Sequence, residues 1–194
     1  DKIGSIIVKK LGLTKKKTNL KNWKSLVNTI KRPNKKPVRI GVVGKYFATG
    51  AFTLSDSYIS VIEALKHAAW HHKHEPELVW LDAEEYEKKP KTLKDLKSYD
   101  GILIPGGFGK RGTEGKIKVI EYCRREKIPY FGLCLGMQLM IIEFARNVAR
   151  MKGANTEEVN SKTPYPVIHI LPEQQELLKN KNYGGSMRLG LYDC

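Results

Sequence analysis

The sequence predicts an α/β fold: a parallel sheet with helices on both faces. From Val38 onward, short apolar runs alternate with stretches of helical periodicity, which is the pattern of repeated βαβ units. Two of these runs end in glycine-rich turns, at Pro105-Gly106-Gly107 and at Gly132-Leu133-Cys134-Leu135-Gly136. In open parallel sheets such carboxyl ends border the ligand crevice. With 194 residues and a 41% hydrophobic share, the chain can fill one core and carry an appendage.

The elements follow from local pattern. Leu20, Trp23, Leu26, Val27 and Ile30 recur at helical spacing after Asn19, an expected N-cap, and Pro33 and Pro37 close that stretch. Val38 to Val43 is the first strand of the sheet. Tyr58, Val61, Ile62, Leu65 and Ala69 line one helix face, Leu78 to Leu81 forms a second strand, and Ile102 to Ile104 a third. Ile117 to Tyr122 lies in the next helix and Ile128 to Leu133 is the fourth strand. Met137, Met140, Ile141, Phe144 and Val148 are expected to form the buried stripe of the helix that follows. Pro166 to Ile170 reads as a further strand, and Gly184 to Gly190 opens another.

Charge divides the chain. Residues 1 to 36 hold twelve Lys/Arg against the single acid Asp1, so most of the net charge of +15 lies there. The expected organisation is a basic linker with a short amphipathic helix over 1–36, whose apolar stripe needs either the following domain or a preceding one to lie on, and an α/β domain over 37–194. Such a charge block is more simply a solvated linker than a nucleic-acid footprint. No run reaches the roughly 18 apolar residues of a membrane span, and no secretory signal opens the chain, so a cytoplasmic location is expected. Cys123, Cys134 and Cys194 are an odd and scattered set, which argues for reduced thiols rather than a disulfide framework or a four-cysteine zinc site.

Chemistry concentrates at Cys134. A G-x-C-x-G corner between strand and helix has the logic of a nucleophile elbow: the sharp turn pushes the nucleophile into the cleft and leaves room only for glycine on either side. At the first turn of a helix the sulfur also meets unpaired N–H groups that favour an anion. The Gly106-Gly107 backbone is expected to direct one N–H at a developing oxyanion and Leu135 a second, because its N–H directly follows the nucleophile. Gly107-Phe108-Gly109-Lys110-Arg111-Gly112 matches G-x-G-x-x-G, but the tip of the next strand carries Leu133 and Cys134 where a ribose-binding acid belongs. Gly41 to Tyr46 has neither the spacing nor the Ser/Thr of a P-loop. His67, His71, His72 and His74 crowd one helix end without a carboxylate or thiolate at ligand spacing, so no metal site is expected. His169, in the late apolar run, is the one histidine placed to face the cleft, though a hydrogen-bonded core histidine is the simpler expectation.

These segments carry a family resemblance. Val38 to Tyr46, Ser60 to Ala68, Pro105 to Gly112, Gly132 to Gln138, Ile142 to Val148 and Gly184 to Gly190 together resemble the glutaminase domain of CTP synthases, a branch of the class I glutamine amidotransferases. The likeness runs from about Trp23 to the end of the chain. It implies a flavodoxin-like sheet, incomplete at its C-terminal end, and hydrolysis of L-glutamine through a γ-glutamyl thioester on Cys134, releasing ammonia. By position, Gly107 and Leu135 match the oxyanion hole. Leu135, Gly136, Met137 and Gln138 match the glutamine-binding run, and Glu158 matches the acid that holds the substrate's α-amino group. No cofactor is implied for this domain. The resemblance implies an N-terminal amidoligase domain that uses ATP and Mg to convert UTP into CTP, with GTP as activator, in a homo-oligomer that is a tetramer in the family. The family's His-x-Glu pair falls beyond Cys194, so the chain as given is expected to turn glutamine over hardly at all. Two alternatives stand beside this: another cysteine hydrolase or amidotransferase of the same fold, and a non-catalytic flavodoxin-like module binding polyanions through its basic start.

Overall fold

The computed structural model describes residues 2–14, 19–32, 36–44 and 58–171. Two helices come first, α1 (Ile3–Lys10) and α2 (Lys21–Ile30), then β1 (Lys36–Gly44), α3 (Ile59–His71), β2 (His74–Asp82) and α4 (Ala83–Lys88). After a 3-10 stretch over Pro90–Ser98 come β3 (Gly101–Ile104), α5 (Thr113–Glu126), β4 (Tyr130–Gly132), α6 (Leu135–Asn147), β5 (Asn155–Thr156) and β6 (Pro166–Ile168).

The main sheet is parallel throughout, in the order β2-β1-β3-β4. This is the flavodoxin-like order over the strands present. β1 is a central strand, and Val42 and Val43 at its carboxyl end are fully buried, which is what a near-continuous β-branched run allows in a strand covered on both faces. Gly41 lies in β1 against Leu81 and Ile102 of the flanking strands, where a Cβ would meet their methyls at 2.7 and 2.8 Å. The core continues through Ile102, Ile104, Ile117, Val119, Ile120, Leu139 and Ile142. Each such fully buried side chain contributes on the order of 1.5–3 kcal/mol.

The predicted strands and helices from Val38 to Val148 are present with shifted ends. β4 is shorter than the predicted Ile128 to Leu133, and β6 ends at Ile168 rather than Ile170. β6 does not join the main sheet; it pairs with β5, an unforeseen two-residue strand. Gly184 to Gly190 lies outside the described residues. Helix α1, helix α4 and the 3-10 stretch were not foreseen. Asp82, at the end of β2, caps α4 by accepting the N–H of Glu84, a signal that was legible as an N-cap aspartate. Asn19 does not sit at the N-cap of α2, which is Leu20. Its side chain instead accepts the N–H of Lys21, an Asx turn one residue early.

The face of α6 is a correction. Met137, Met140, Ile141, Phe144 and Val148, expected to be buried, are 38–52% exposed. The helix instead buries Leu135, Leu139, Ile142 and Ala145. α6 is apolar around most of its circumference, so periodicity offered two stripes, and contact with β3 selected the other. On α2, Trp23 is 66% exposed and Val27 is also exposed, while Leu26 and Ile30 are half-buried. Among the described residues no helix is long and apolar enough to cross a membrane.

One junction is sterically unforgiving. A Cβ on Gly115 of α5 would sit 1.9 Å from the carbonyl oxygen of Ala83 and 3.0 Å from Cγ of Glu87, and a backbone oxygen has no rotamer with which to retreat. Gly115→Ala is therefore expected to cost about 1–3 kcal/mol or more by overpacking, measured as a lower urea midpoint with the slope unchanged.

Candidate active site at the β4–α6 corner

Cys134 stands at the N-cap of α6 with φ 48° and ψ −106°. That is a sparsely populated backbone region for a residue with a side chain, and holding it there costs on the order of 1–3 kcal/mol. The corner is held from both sides. The Leu133 N–H donates to Ile104 O at 2.9 Å, extending the β3–β4 pairing one residue further, while Gly136 N–H donates to Leu133 O at 2.8 Å and Gln138 N–H to Cys134 O at 3.1 Å. The hydroxyl of Tyr130 donates to Gly136 O at 2.8 Å. Burial raises the pKa of that phenol strongly, so it remains a neutral donor at ordinary pH.

The two flanking glycines are required by space. A Cβ on Gly132 would meet Gly136 C at 2.5 Å and Gly136 O at 2.6 Å, and one on Gly136 would meet Ile104 O at 2.2 Å. The first turn of α6 is thus pressed directly onto the end of β3, and Cys134 is levered outward. Its side chain is exposed, whereas Cys123 in α5 is fully buried. Burial pushes the Cys123 thiol up to about 12, so that sulfur stays a protonated core group.

The glycine loop after β3 lies against the corner. A Cβ built on Gly106 falls 3.5 Å from Cβ and 4.0 Å from Sγ of Cys134, and one on Gly107 falls 3.5 Å from Leu135 Cδ2. The two turns that the sequence singled out therefore form one site. Among the described residues, neither the Gly107 nor the Leu135 backbone N–H has a protein acceptor. The loop is tied down elsewhere: Tyr58 donates its hydroxyl to Gly106 O at 3.3 Å, and Arg111 pairs with Glu84 of α4, holding that carboxyl below its usual range by hydrogen bonding. Gly112 caps α5 in the left-handed region at φ 72°, a conformation that favours glycine.

Glu158 is brought to the same loop. Its Oε1 accepts the Gly109 N–H at 2.8 Å. Met137 is exposed on the outer side of α6 and Gln138 is half-buried. His169 is not a core histidine: its side chain is 66% exposed and lies 3.4 Å from Glu157. Of the helix-end histidines, His67, His71 and His72 are exposed and His74 is half-buried. Among the described residues no group of three potential metal ligands occurs. Sequence reasoning missed Lys116, which is 1% exposed with Nζ about 4.0 Å from where a Gly107 Cβ would stand. It also missed Arg146 and Glu114, which form an ion pair at 2.9 Å. A lysine or arginine in a helix carries no local signal of burial or partner.

A thiol exposed on a strained strand-to-helix corner beside a glycine loop is an arrangement that can serve nucleophilic catalysis. Comparison with known proteins gives the family. Residues 53–185 match the family model for glutamine amidotransferase class-I. The chain belongs to this family. It is 50% identical over 99% of its length to CTP synthase of Carboxydothermus hydrogenoformans, and 48% identical over 100% of its length to that of Caldanaerobacter subterraneus. It spans 34% of the length of each of these relatives. Among solved structures, it resembles the glutaminase domain of the Trypanosoma brucei CTP synthase with bound acivicin, with a TM-score of 0.63 and 38% identity, over 70% of this chain and 50% of that one.

The packing makes the two glycines that touch the corner unequal. Gly136→Ala forces a backbone clash with Ile104 and is expected to cost about 1–3 kcal/mol at least, whereas Gly106→Ala places its methyl at ordinary contact distance from Cys134. Thermal unfolding should show a markedly lower midpoint for the first and a nearly unchanged one for the second.

Proposed function

We propose that this chain is the glutamine-hydrolysing part of a CTP synthase. The observation that carries the reading is the exposed Cys134 on its strained corner, with the glycine loop packed so close that a Cβ on Gly106 would lie 4.0 Å from its sulfur. The identity of about half of all residues with two CTP synthases favours this synthase over another cysteine hydrolase of the same fold.

In the proposed reaction the Cys134 thiolate attacks the side-chain carbonyl carbon of L-glutamine. The oxygen becomes an oxyanion that accepts hydrogen bonds from Gly107 and Leu135, each such donor being worth about 3 kcal/mol. The C–N bond breaks, ammonia leaves with the proton taken from the thiol, and a γ-glutamyl thioester remains. Water hydrolyses it to glutamate and regenerates the thiol. Gly136, Met137 and Gln138 belong to the run after the nucleophile that borders the substrate. Glu158 receives the α-ammonium group, exchanging its Gly109 partner for the substrate or sharing itself between them. Among the described residues no histidine is hydrogen-bonded to Cys134. The proton acceptor is the histidine of the family's His-x-Glu pair, whose place in the family pattern follows Cys194. The ammonia serves an amidoligase domain that converts UTP into CTP with ATP and Mg, with GTP as activator.

The test uses the full-length polypeptide that carries this sequence. Cys134→Ser should abolish glutamine-dependent CTP formation while leaving formation from added ammonia intact, because only the ammonia source is removed. Loss of both activities, or of neither, counts against the assignment. A glutamine-mimicking electrophile should label Cys134 and leave the buried Cys123 unmodified, as read by peptide mapping; equal labelling of the two would remove the elbow from the mechanism.

A further inference from the structure

Arg146 lies near the C-terminal end of α6, the helix that Cys134 caps, and has no role in the proposed reaction described above. Its side chain is only 18% exposed and its guanidinium is divided between two partners. Nη1 donates to both carboxylate oxygens of Glu114, at 3.1 and 2.9 Å, and Nε donates to the Ala154 carbonyl oxygen at 2.6 Å. Glu114 lies in the first turn of α5, directly after the glycine loop. Ala154 is fully buried and opens the five-residue segment that ends at Glu158.

These contacts close a ring. Gly109 and Glu114 belong to one loop-helix junction, and Ala154 and Glu158 to one short segment. Arg146 joins Glu114 to Ala154 at one side, and the Gly109–Glu158 hydrogen bond joins them at the other. Between the two, Asn155 and Thr156 are buried and bond locally, with Asn155 Oδ1 accepting Thr156 N–H and Thr156 Oγ1 accepting Glu158 N–H. The segment is also tied to the β6 side, where Asn155 N–H donates to Tyr165 O and Glu157 N–H to Ile168 O. Its links towards the loop and α5 include those through Arg146 and through Glu158 itself. When substrate competes for the Glu158 carboxylate, the Arg146 side of the ring still ties the segment to α5.

We propose that Arg146 is a positioning residue for the glutamine α-ammonium site: by bridging Glu114 and Ala154, it sets where Glu158 stands relative to the Gly107 oxyanion donor. The inference rests on the glutaminase reading and deepens it. A planar guanidinium can serve a carboxylate and a carbonyl at once with fixed geometry; an ammonium on a flexible stem serves one of them at a time.

The experiment is steady-state glutamine hydrolysis by the full-length polypeptide, comparing wild type with Arg146→Gln, Arg146→Lys and Glu114→Gln. It uses both L-glutamine and its analogue lacking the α-amino group, and thermal unfolding is recorded for each variant. Arg146→Gln should raise KM for glutamine about tenfold with kcat within about threefold, the scale of one hydrogen bond to a charged group. Arg146→Lys and Glu114→Gln should shift KM in the same direction by less. The preference for glutamine over the des-amino analogue should shrink as KM rises, because the lost interaction is with the ammonium. A purely structural role would lower kcat or the number of titratable sites, leave KM and that preference unchanged, and overturn the proposal. If Arg146→Gln does not fold, the other two variants decide: unchanged KM and preference in both overturn it. A Cys134→Ser enzyme that still hydrolyses glutamine would instead overturn the glutaminase reading. Loss of activity in Cys134→Ser together with unchanged KM in the Arg146 and Glu114 variants overturns only the positioning role.

Discussion

The site depends on one steric constraint: the first turn of α6 is in backbone contact with the end of β3. Gly136 has space for hydrogen alone beside the Ile104 carbonyl, and Gly132 has space for hydrogen alone beside Gly136. A strand and a helix brought this close cannot be joined by an ordinary turn, so the linking residue is forced to φ 48° and ψ −106°. That conformation costs on the order of 1–3 kcal/mol. It persists because Leu133, Gly136 and Gln138 contribute backbone hydrogen bonds around it and because Leu135, Leu139 and Ile142 are buried beneath it. The thiol is exposed as a consequence of the packing that buries Leu135, Leu139 and Ile142 on the other side of the corner.

The contrast between the two described cysteines shows how much the setting decides. Cys123 and Cys134 lie eleven positions apart in sequence, yet the first is sealed in the core with its thiol pushed up to about 12, and the second is open to solvent at a corner. A thiol is a nucleophile only as far as it can ionise and be reached. Similarly, the glycine loop after β3 is free of side chains where it faces Cys134 and firmly tied where it does not, through Tyr58, Glu158 and the Arg111–Glu84 pair. Fixed backbone donors stabilise a developing oxyanion because they need not reorient during the reaction.

Much of this was readable in order along the chain. β1, α3, β2, β3, α5, β4 and α6 follow from apolar runs alternating with helical periods, and Cys134, Gly106 and Gly107 follow from turn chemistry. Glycine is informative because few other reasons place it in pairs at strand ends. What was misread has a common cause. α6 carries apolar residues on two faces, so pattern alone could not tell that Met137, Met140 and Phe144 face outward. His169 sits in an apolar run, yet that run ends in a short two-stranded ladder rather than inside the main sheet. Arg146 and Glu114 are ordinary helix residues until α5 and α6 are brought together.

From its sequence alone, this protein's fold class, the glycine-flanked corner at Cys134 and the glycine turn beside it were legible, because each rests on local geometry: period, turn type and the absence of a Cβ. Only the tertiary structure decided which face of α6 is buried, that a Cβ on Gly106 would lie 4.0 Å from the Cys134 sulfur, and that Glu158 reaches the Gly109 amide from 49 residues away. Those outcomes depend on how elements pack across long sequence separations. A side chain's neighbours there are set by the whole sheet and not by the residues beside it in the chain.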